Sequence, residues 1–227
     1  MMIVCNICND NKWLYTKQGQ IIPCECLKIK WVNELINKSG IPDRYASASL
    51  SKVHPVLLKG LPETWHRVVE KGELPEYRRS GFIISSPLAC GKSSAVGLYL
   101  VSIFRAMAER QIRPNSPSHQ HLWCNWASEY DWFQQNCINT EDLNKKHNAF
   151  SNASIVILDN LGSESIKQES FASKQLNRII STRYEKGKST IVMTNLSKKQ
   201  LLERYGDPLF NKLVKDSIFC EIKEKKQ

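Results

Sequence analysis

The sequence predicts an α/β protein: a parallel sheet flanked by helices, preceded by a small cysteine-paired hairpin module. Three observations carry this. An apolar run, Gly81-Phe82-Ile83-Ile84, leads through Ser85-Ser86-Pro87-Leu88-Ala89-Cys90-Gly91-Lys92-Ser93-Ser94 into an apolar helical stretch. A second apolar run, from Ala153 to Leu158, delivers Asp159 at its C-terminal end. Four cysteines, Cys5, Cys8, Cys24 and Cys26, crowd the start of the chain.

The 227 residues suffice for one packed domain with a small appendage. With 41% apolar and 24% charged residues the composition is that of an ordinary globular protein. No apolar run approaches the roughly 20 residues of a membrane span. The start, Met1-Met2-Ile3-Val4-Cys5, has no basic region followed by an apolar segment, so no secretory signal is read there and a cytoplasmic protein is expected. The formal charge of +10 favours a polyanionic partner over mere solubility, because neutralising phosphates releases counterions. The basic residues form local groups (Lys28 and Lys30; Arg78 and Arg79; Lys223, Lys225 and Lys226) rather than one stripe. In a reducing compartment eight cysteines argue against a disulfide framework. The scattered Cys90, Cys124, Cys137 and Cys220 read as small core residues.

Residues 1–28 read as a metal-bound knuckle. Cys5-Asn6-Ile7-Cys8 is a C-x₂-C turn, answered by the tighter Cys24-Glu25-Cys26. Between them Lys12-Trp13-Leu14-Tyr15 and Gln20-Ile21-Ile22 flank Gly19 as two strands of a hairpin. Four thiolates in two close pairs suit tetrahedral structural zinc, with free thiols or a redox pair as the other possibility. Four thiolates leave no open position for catalysis, and so short a stretch needs the metal to fold.

From Leu27 to Ser39, apolar residues at Ile29, Trp31-Val32 and Leu35-Ile36 recur at helical spacing, and Gly40-Ile41-Pro42 ends the helix. The resulting division is a module over 1–28, a linker helix over 29–48 and the ATPase domain over 49–227. Within 50–77 two short helices are expected, broken by Gly60, Pro62 and Gly72.

A strand, a tight loop and a helix opening on Gly-Lys-Ser form a P-loop. Its backbone N–H groups and the positive helix end cradle phosphates, Lys92 reaches the β/γ oxygens, and the Ser93 hydroxyl holds Mg²⁺. Ser86 stands where the motif has its first Gly. The helix runs to about Arg110, and a turn-rich loop, Arg113 to Ser118, follows. His121 to Asn125 is a strand and 126–137 a helix, whose Trp126, Tyr130 and Trp132-Phe133 either pack in the core or, less in keeping with their spacing, stack on bases. The strand 153–160 ends in Asp159, at the sheet edge where open α/β sheets bind ligands. An acid there shares Mg²⁺ with Ser93. A helix over 169–186 stops at Gly187, Ser189 to Asn195 is another buried strand, and Asn195 is placed to orient water or touch the γ-phosphate. A helix over 198–205, the segment 207–213 and a last strand, Ile218 to Ile222, complete the chain.

Several stretches together resemble the DnaC/DnaI/IstB-like AAA+ ATPases. They are Gly40-Ile41-Pro42-Asp43-Arg44-Tyr45, the P-loop, Ile157 to Glu164 and, most specifically, Arg183 to Ser197. The resemblance spans about residues 40 to 215, and the cysteine-paired start is similar to helicase loaders with an N-terminal zinc domain that contacts the replicative helicase. It implies an ATP-dependent protein that binds single-stranded DNA, self-assembles on ATP and delivers a hexameric helicase. An IstB-like regulator of transposition and a catalytically weak helicase adaptor or inhibitor are the alternatives. It also implies that Lys92 and Ser93 bind nucleotide and Mg²⁺, that Asp159 is the Walker B acid and Asn195 the sensor, and that a neighbouring subunit supplies an arginine. The chain departs from the pattern at two places. Asn160 replaces the acid after Asp159, with Glu164 as a compensating candidate, and Lys212 stands in Asn211-Lys212-Leu213 where Ser-Arg-Leu is usual. An amide cannot accept water's proton and Lys lacks the planar fork of Arg, so intact nucleotide binding with slow or partner-dependent hydrolysis is expected.

Overall fold

Two antiparallel strands, β1 (Trp13–Tyr15) and β2 (Ile21–Pro23), pair with Tyr15 opposite Ile21 and bring the two cysteine pairs to the same end of a hairpin. The structure, a computed structural model, describes residues 5–76, 81–86, 90–115, 120–165, 171–215 and 217–222. Helix α1 (Glu25–Ser39) begins earlier than its apolar periodicity suggests, with Cys24 at its N-cap and Cys26 in its first turn. Leu27, Trp31, Leu35 and Ser39 form its buried stripe at i, i+4 spacing. Gly40, in the left-handed region, ends it.

Short elements then climb toward the sheet: α2 (Asp43–Ala46), a 3-10 turn at Leu50–Lys52, α3 (Pro55–Gly60) and α4 (Glu63–Lys71). The last two are the helices expected in this stretch. Trp65 of α4 is wholly buried and its indole N–H donates to the Ala95 carbonyl at 2.9 Å. The sheet starts with β3 (Gly81–Ser85), buried throughout, followed by the long α5 (Lys92–Glu109). Next come β4 (His121–Asn125), α6 (Trp126–Gln135) and α7 (Thr140–Asn152). The chain closes with β5 (Ile155–Leu161), α8 (Phe171–Glu185), β6 (Ser189–Thr194), α9 (Lys198–Lys215) and β7 (Ser217–Glu221). Helix α7 has no apolar periodicity: it buries only His147, Phe150 and Ser151 and otherwise faces solvent. Helix α9 joins the expected 198–205 helix to the following segment across a kink at Gly206, just before Pro208.

The five strands of the main sheet are all parallel, in the order β4-β5-β6-β3-β7. Alternation along the strands divides the core in two. Phe82, Ile84, Ile157, Ile191 and Met193 pack with α1 and α3–α5 on one face. Ile83, Val156, Leu158 and Val192 pack with α6–α9 on the other. Trp126, Tyr130 and Phe133 lie in this second layer, which assigns them to packing rather than base stacking. Cys124 and Cys220 are core residues as expected, Cys90 is half-buried and packed against the core in the loop after β3, and Cys137 is exposed and lies outside it.

Arg183 of α8 is buried, with no carboxylate beside it among the described residues. Its guanidinium donates to the Phe150 and Ala153 carbonyls at 2.5 and 2.8 Å, to the Ser189 carbonyl, and to Thr190 Oγ1 at 3.0 Å. Burial lowers its pKa to about 9. The cation ties the C-terminus of α7 to the start of β6 and so aligns β5 and β6, whose other ends carry the site.

Candidate nucleotide site and cysteine cluster

Strand β3 ends at Ser85 and α5 begins at Lys92, so the intervening loop lies at the C-terminal edge of the sheet, against the N-terminus of an 18-residue helix. Gly91, φ 83°, turns the chain into α5 beneath the 3-10 turn, where a Cβ would collide with the Lys52 carbonyl. Of the expected phosphate loop, Ser86, Cys90, Gly91, Lys92, Ser93 and Ser94 are described; Pro87, Leu88 and Ala89 lie outside the described residues. Ser86 is buried, its hydroxyl 2.5 Å from Cys90 Sγ. Lys92 Nζ donates to the Ser86 carbonyl and to Asn195 Oδ1, both at 2.7 Å. Ser93 Oγ donates to the Asp159 carboxylate at 3.3 and 3.4 Å. Residues from β3–α5, β5 and β6 thus meet across more than a hundred positions of sequence.

Thr194 Oγ1 donates to the Leu161 carbonyl at 2.7 Å, and Ser85 Oγ to the Leu196 carbonyl at 2.7 Å. These bonds stitch the strand ends together and fix where Asn195 points. A cavity of about 230 Å³ opens here, lined by Tyr45, Cys90, Gly91, Lys92, Ser93, Asn160 and Asn195. Asn160 sits at φ 59° beside a bulge in β5, a conformation that Asn tolerates better than most residues.

Burial raises the Asp159 carboxyl above its ordinary range, and the Asn160 backbone N–H, the Ser93 hydroxyl and the charges of Lys92 and Arg44 offset only part of that. Burial likewise pulls the Lys92 ammonium down. Both groups are poorly solvated, and the charge of each offsets only part of the cost of burying the other. A folded pKa above the unfolded one means that ionised Asp159 costs stability at neutral pH, a cost removed as pH falls through the folded value. Asp159→Asn is therefore expected to raise the melting temperature of the nucleotide-free protein at neutral pH by about 2–4 °C. The gain should shrink in acid, and a lowered melting temperature at neutral pH would contradict it.

Two residues singled out from the sequence lie away from the cavity. The Glu164 carboxylate is buried, accepting from the Gly162 N–H at 2.9 Å and from the Tyr205 hydroxyl, with Arg204 Nε 3.8 Å away. Its oxygens brace β5 against α9. Lys212 donates to Ser181 Oγ at 2.7 Å and borders Gly81, Thr190 and Ser217, the N-terminal ends of β3, β6 and β7. It sits at the opposite edge of the sheet, out of reach of the cavity in its own chain. Conversely, Tyr45 lines the cavity with Arg44 over its ring, and the stretch Gly40 to Tyr45 signals in the sequence only a helix end and a family resemblance.

The cysteines form the second site. All four sulfurs lie within 4.8 Å of one another, with Cys5 Sγ 3.8 Å from Cys24 Sγ and Cys8 Sγ 3.6 Å from Cys26 Sγ. Bonds of about 2.3 Å to a tetrahedral metal imply S···S edges of about 3.8 Å, so the spacing fits one ion. Backbone N–H groups of Cys8 and Ile7 lower the Cys5 thiol to about 7, while burial and the other thiols push Cys26 up to about 12. Without a cation the four cannot ionise together. The cluster is fastened to the main body through Trp13 edge-on to Trp31 (6.2 Å), Leu27 and Trp31 packed with Ala108, and Lys28 Nζ bonded to Glu109 at 2.6 Å.

No protein-family model matches the sequence, and no curated protein matches it. Solved structures are similar in fold. The DnaC helicase loader superposes with a TM-score of 0.61 at 21% identity, covering 80% of this chain and 100% of that one. A putative primosome component from Streptococcus pyogenes serotype M3 gives 0.60 at 13% identity, covering 86% and 97%. DnaI gives 0.59 at 16% identity, covering 82% and 93%. The five-stranded parallel sheet flanked by helices is a fold this chain shares with the DnaC helicase loader and DnaI, and here a cysteine cluster of metal-ligand geometry precedes it.

Proposed function

We propose that the protein is an ATP-dependent helicase loader that binds single-stranded DNA and delivers a replicative hexameric helicase during DNA replication. The observation that carries this reading is the convergence of Lys92, Ser93, Asp159 and Asn195 at the head of α5, on a fold shared with the DnaC helicase loader. The residues suit ATP with Mg²⁺. The α5 N-terminus and Lys92 would take the phosphates, and Ser93 with Asp159 would hold the metal, which supplies charge neutralisation between β- and γ-phosphate oxygens. Cys5, Cys8, Cys24 and Cys26 would hold Zn²⁺ in the module over residues 1–28. Residues 29–48 join it to the ATPase domain over 49–227, as the rest of α1 and the short α2, both packed on α5.

Slow hydrolysis follows from the same geometry. Asn160 lines the cavity where an acid would activate water, and the Glu164 carboxylate is occupied by Gly162 and Tyr205. Lys212 can act only on the site of an adjacent subunit in an assembly formed on ATP. Nucleotide therefore works as a switch for assembly and release. Among the described residues no helix is long and apolar enough to cross a membrane, and a cytoplasmic site of action suits a DNA-loading role. Isolation of the tagged chain from cells is expected to bring down a hexameric helicase, more of it with ATP than with ADP. A transposase in its place would favour transposition control and overturn the loader reading.

A further inference from the structure

Helix α2 brings a cation to the nucleotide cavity on an aromatic stack. Tyr45 lines the cavity beside Lys92, Ser93 and Asn160. Its ring lies on Trp123 of β4, with centroids 5.5 Å apart and planes 25° from parallel. The Arg44 guanidinium covers the ring, 4.6 Å from its centre. The stack has firm supports: Trp123 is buried in the sheet, and the Tyr45 carbonyl is pressed against Gly97 of α5, where a Cβ would collide with it. A guanidinium held by its face keeps its N–H edge free for an oxyanion. Arg44 is exposed and makes no ion pair among the described residues, and the ring it covers is part of the cavity wall.

We propose that Arg44 binds the terminal phosphate of a nucleoside triphosphate in its own subunit and makes the site distinguish triphosphate from diphosphate. The inference rests on reading the cavity as an ATP site. The α5 N-terminus serves the inner phosphates. Asp159 and Ser93 mark the end where a metal would neutralise the outer phosphates, and Tyr45, with Arg44 over its ring, lines the cavity beside Ser93 and Asn160 at that end. Lys212, at the far edge of the sheet, cannot supply this charge within the subunit. Arg44 supplies it in cis.

The test is equilibrium binding of fluorescent ATPγS and ADP, with Mg²⁺, to the full chain and to Arg44→Gln and Arg44→Lys. Arg44→Gln should weaken ATPγS roughly 10- to 100-fold, as loss of charge-assisted bonds predicts, and leave ADP within about twofold. Arg44→Lys should restore part of the loss. Equal weakening of both nucleotides, or no weakening of either, overturns the proposal. So does a loss of single-stranded DNA binding with nucleotide affinities intact, which would assign Arg44 to a nucleic-acid phosphate. The ATP-site reading fails separately: in that case the unsubstituted chain binds neither nucleotide, or binds them equally well after Lys92→Ala. Arg44 is exposed, so the variants should melt as the parent does, which excludes misfolding as the cause.

Discussion

Lys92→Ala is expected to lower ATP affinity by at least about a hundredfold while leaving the nucleotide-free fold intact. Two charge-assisted bonds to phosphate oxygens, each worth about 1.5–3 kcal/mol, set that scale. In the nucleotide-free site the ammonium is half-buried, with its pKa pulled down by burial, and it rests on the Ser86 carbonyl and the exposed Asn195 amide. Those neutral acceptors replace only part of its hydration, so a phosphate should displace them readily. Removing Lys92 leaves Asn195 free to bond water, and little change in melting temperature is expected. Binding of fluorescent ATP with a thermal melt of the same samples checks both halves. Parent-like ATP affinity in Lys92→Ala would remove the basis for an ATP site here. The variant also separates switch from adaptor. Loading of helicase that persists without nucleotide binding would mean that the P-loop is vestigial and the chain works as a scaffold.

The parts of the site legible in the sequence are those encoded locally. The strand before Ser86, the helix opening at Gly91-Lys92-Ser93 and the strand ending in Asp159 each follow from short-range pattern. The all-parallel sheet then has to bring their C-terminal ends to one edge. What escaped depends on contacts distant in sequence. Glu164 looks like a spare acid beside Asp159, but its role is decided by Tyr205, 41 positions away. Lys212 looks like a catalytic cation until α9 carries it to the N-terminal edge of the sheet. Arg44 looks like a surface residue after a helix break, and only the packing of Tyr45 between Trp123 and Gly97 aims it at the cavity. Helix α7 leaves no clear period in the sequence, because it is polar nearly all round and held by a few residues rather than by a stripe.

Removal of the proposed zinc is expected to unfold the N-terminal hairpin and spare the α/β body. Among described residues 5–24 only Cys8, Pro23 and Cys24 are buried, so the hairpin has almost no apolar core with which to offset the entropy of ordering. The close sulfur pairs, Cys5 with Cys24 and Cys8 with Cys26, both run between the knuckle and the start of α1, so loss of the ion releases both ends of the module together. Structural zinc in such small units contributes about 10–16 kcal/mol of apparent binding free energy, far more than the Trp13–Trp31 contact or the exposed Lys28–Glu109 pair can replace. The purified chain should therefore hold one zinc, released in full by a thiol-blocking mercurial and read with a colorimetric chelator. Release should abolish the tryptophan signal of the Trp13–Trp31 contact and expose the hairpin to proteolysis. Nucleotide affinity should change less than about twofold, because Leu35 and the later turns of α1 stay packed in the main core beside α5. A chain isolated without metal and with an intact, protease-resistant module would show that the thiols serve redox chemistry instead. Loss of nucleotide binding along with the zinc would mean that the module is an integral part of the ATPase fold rather than a separate docking unit.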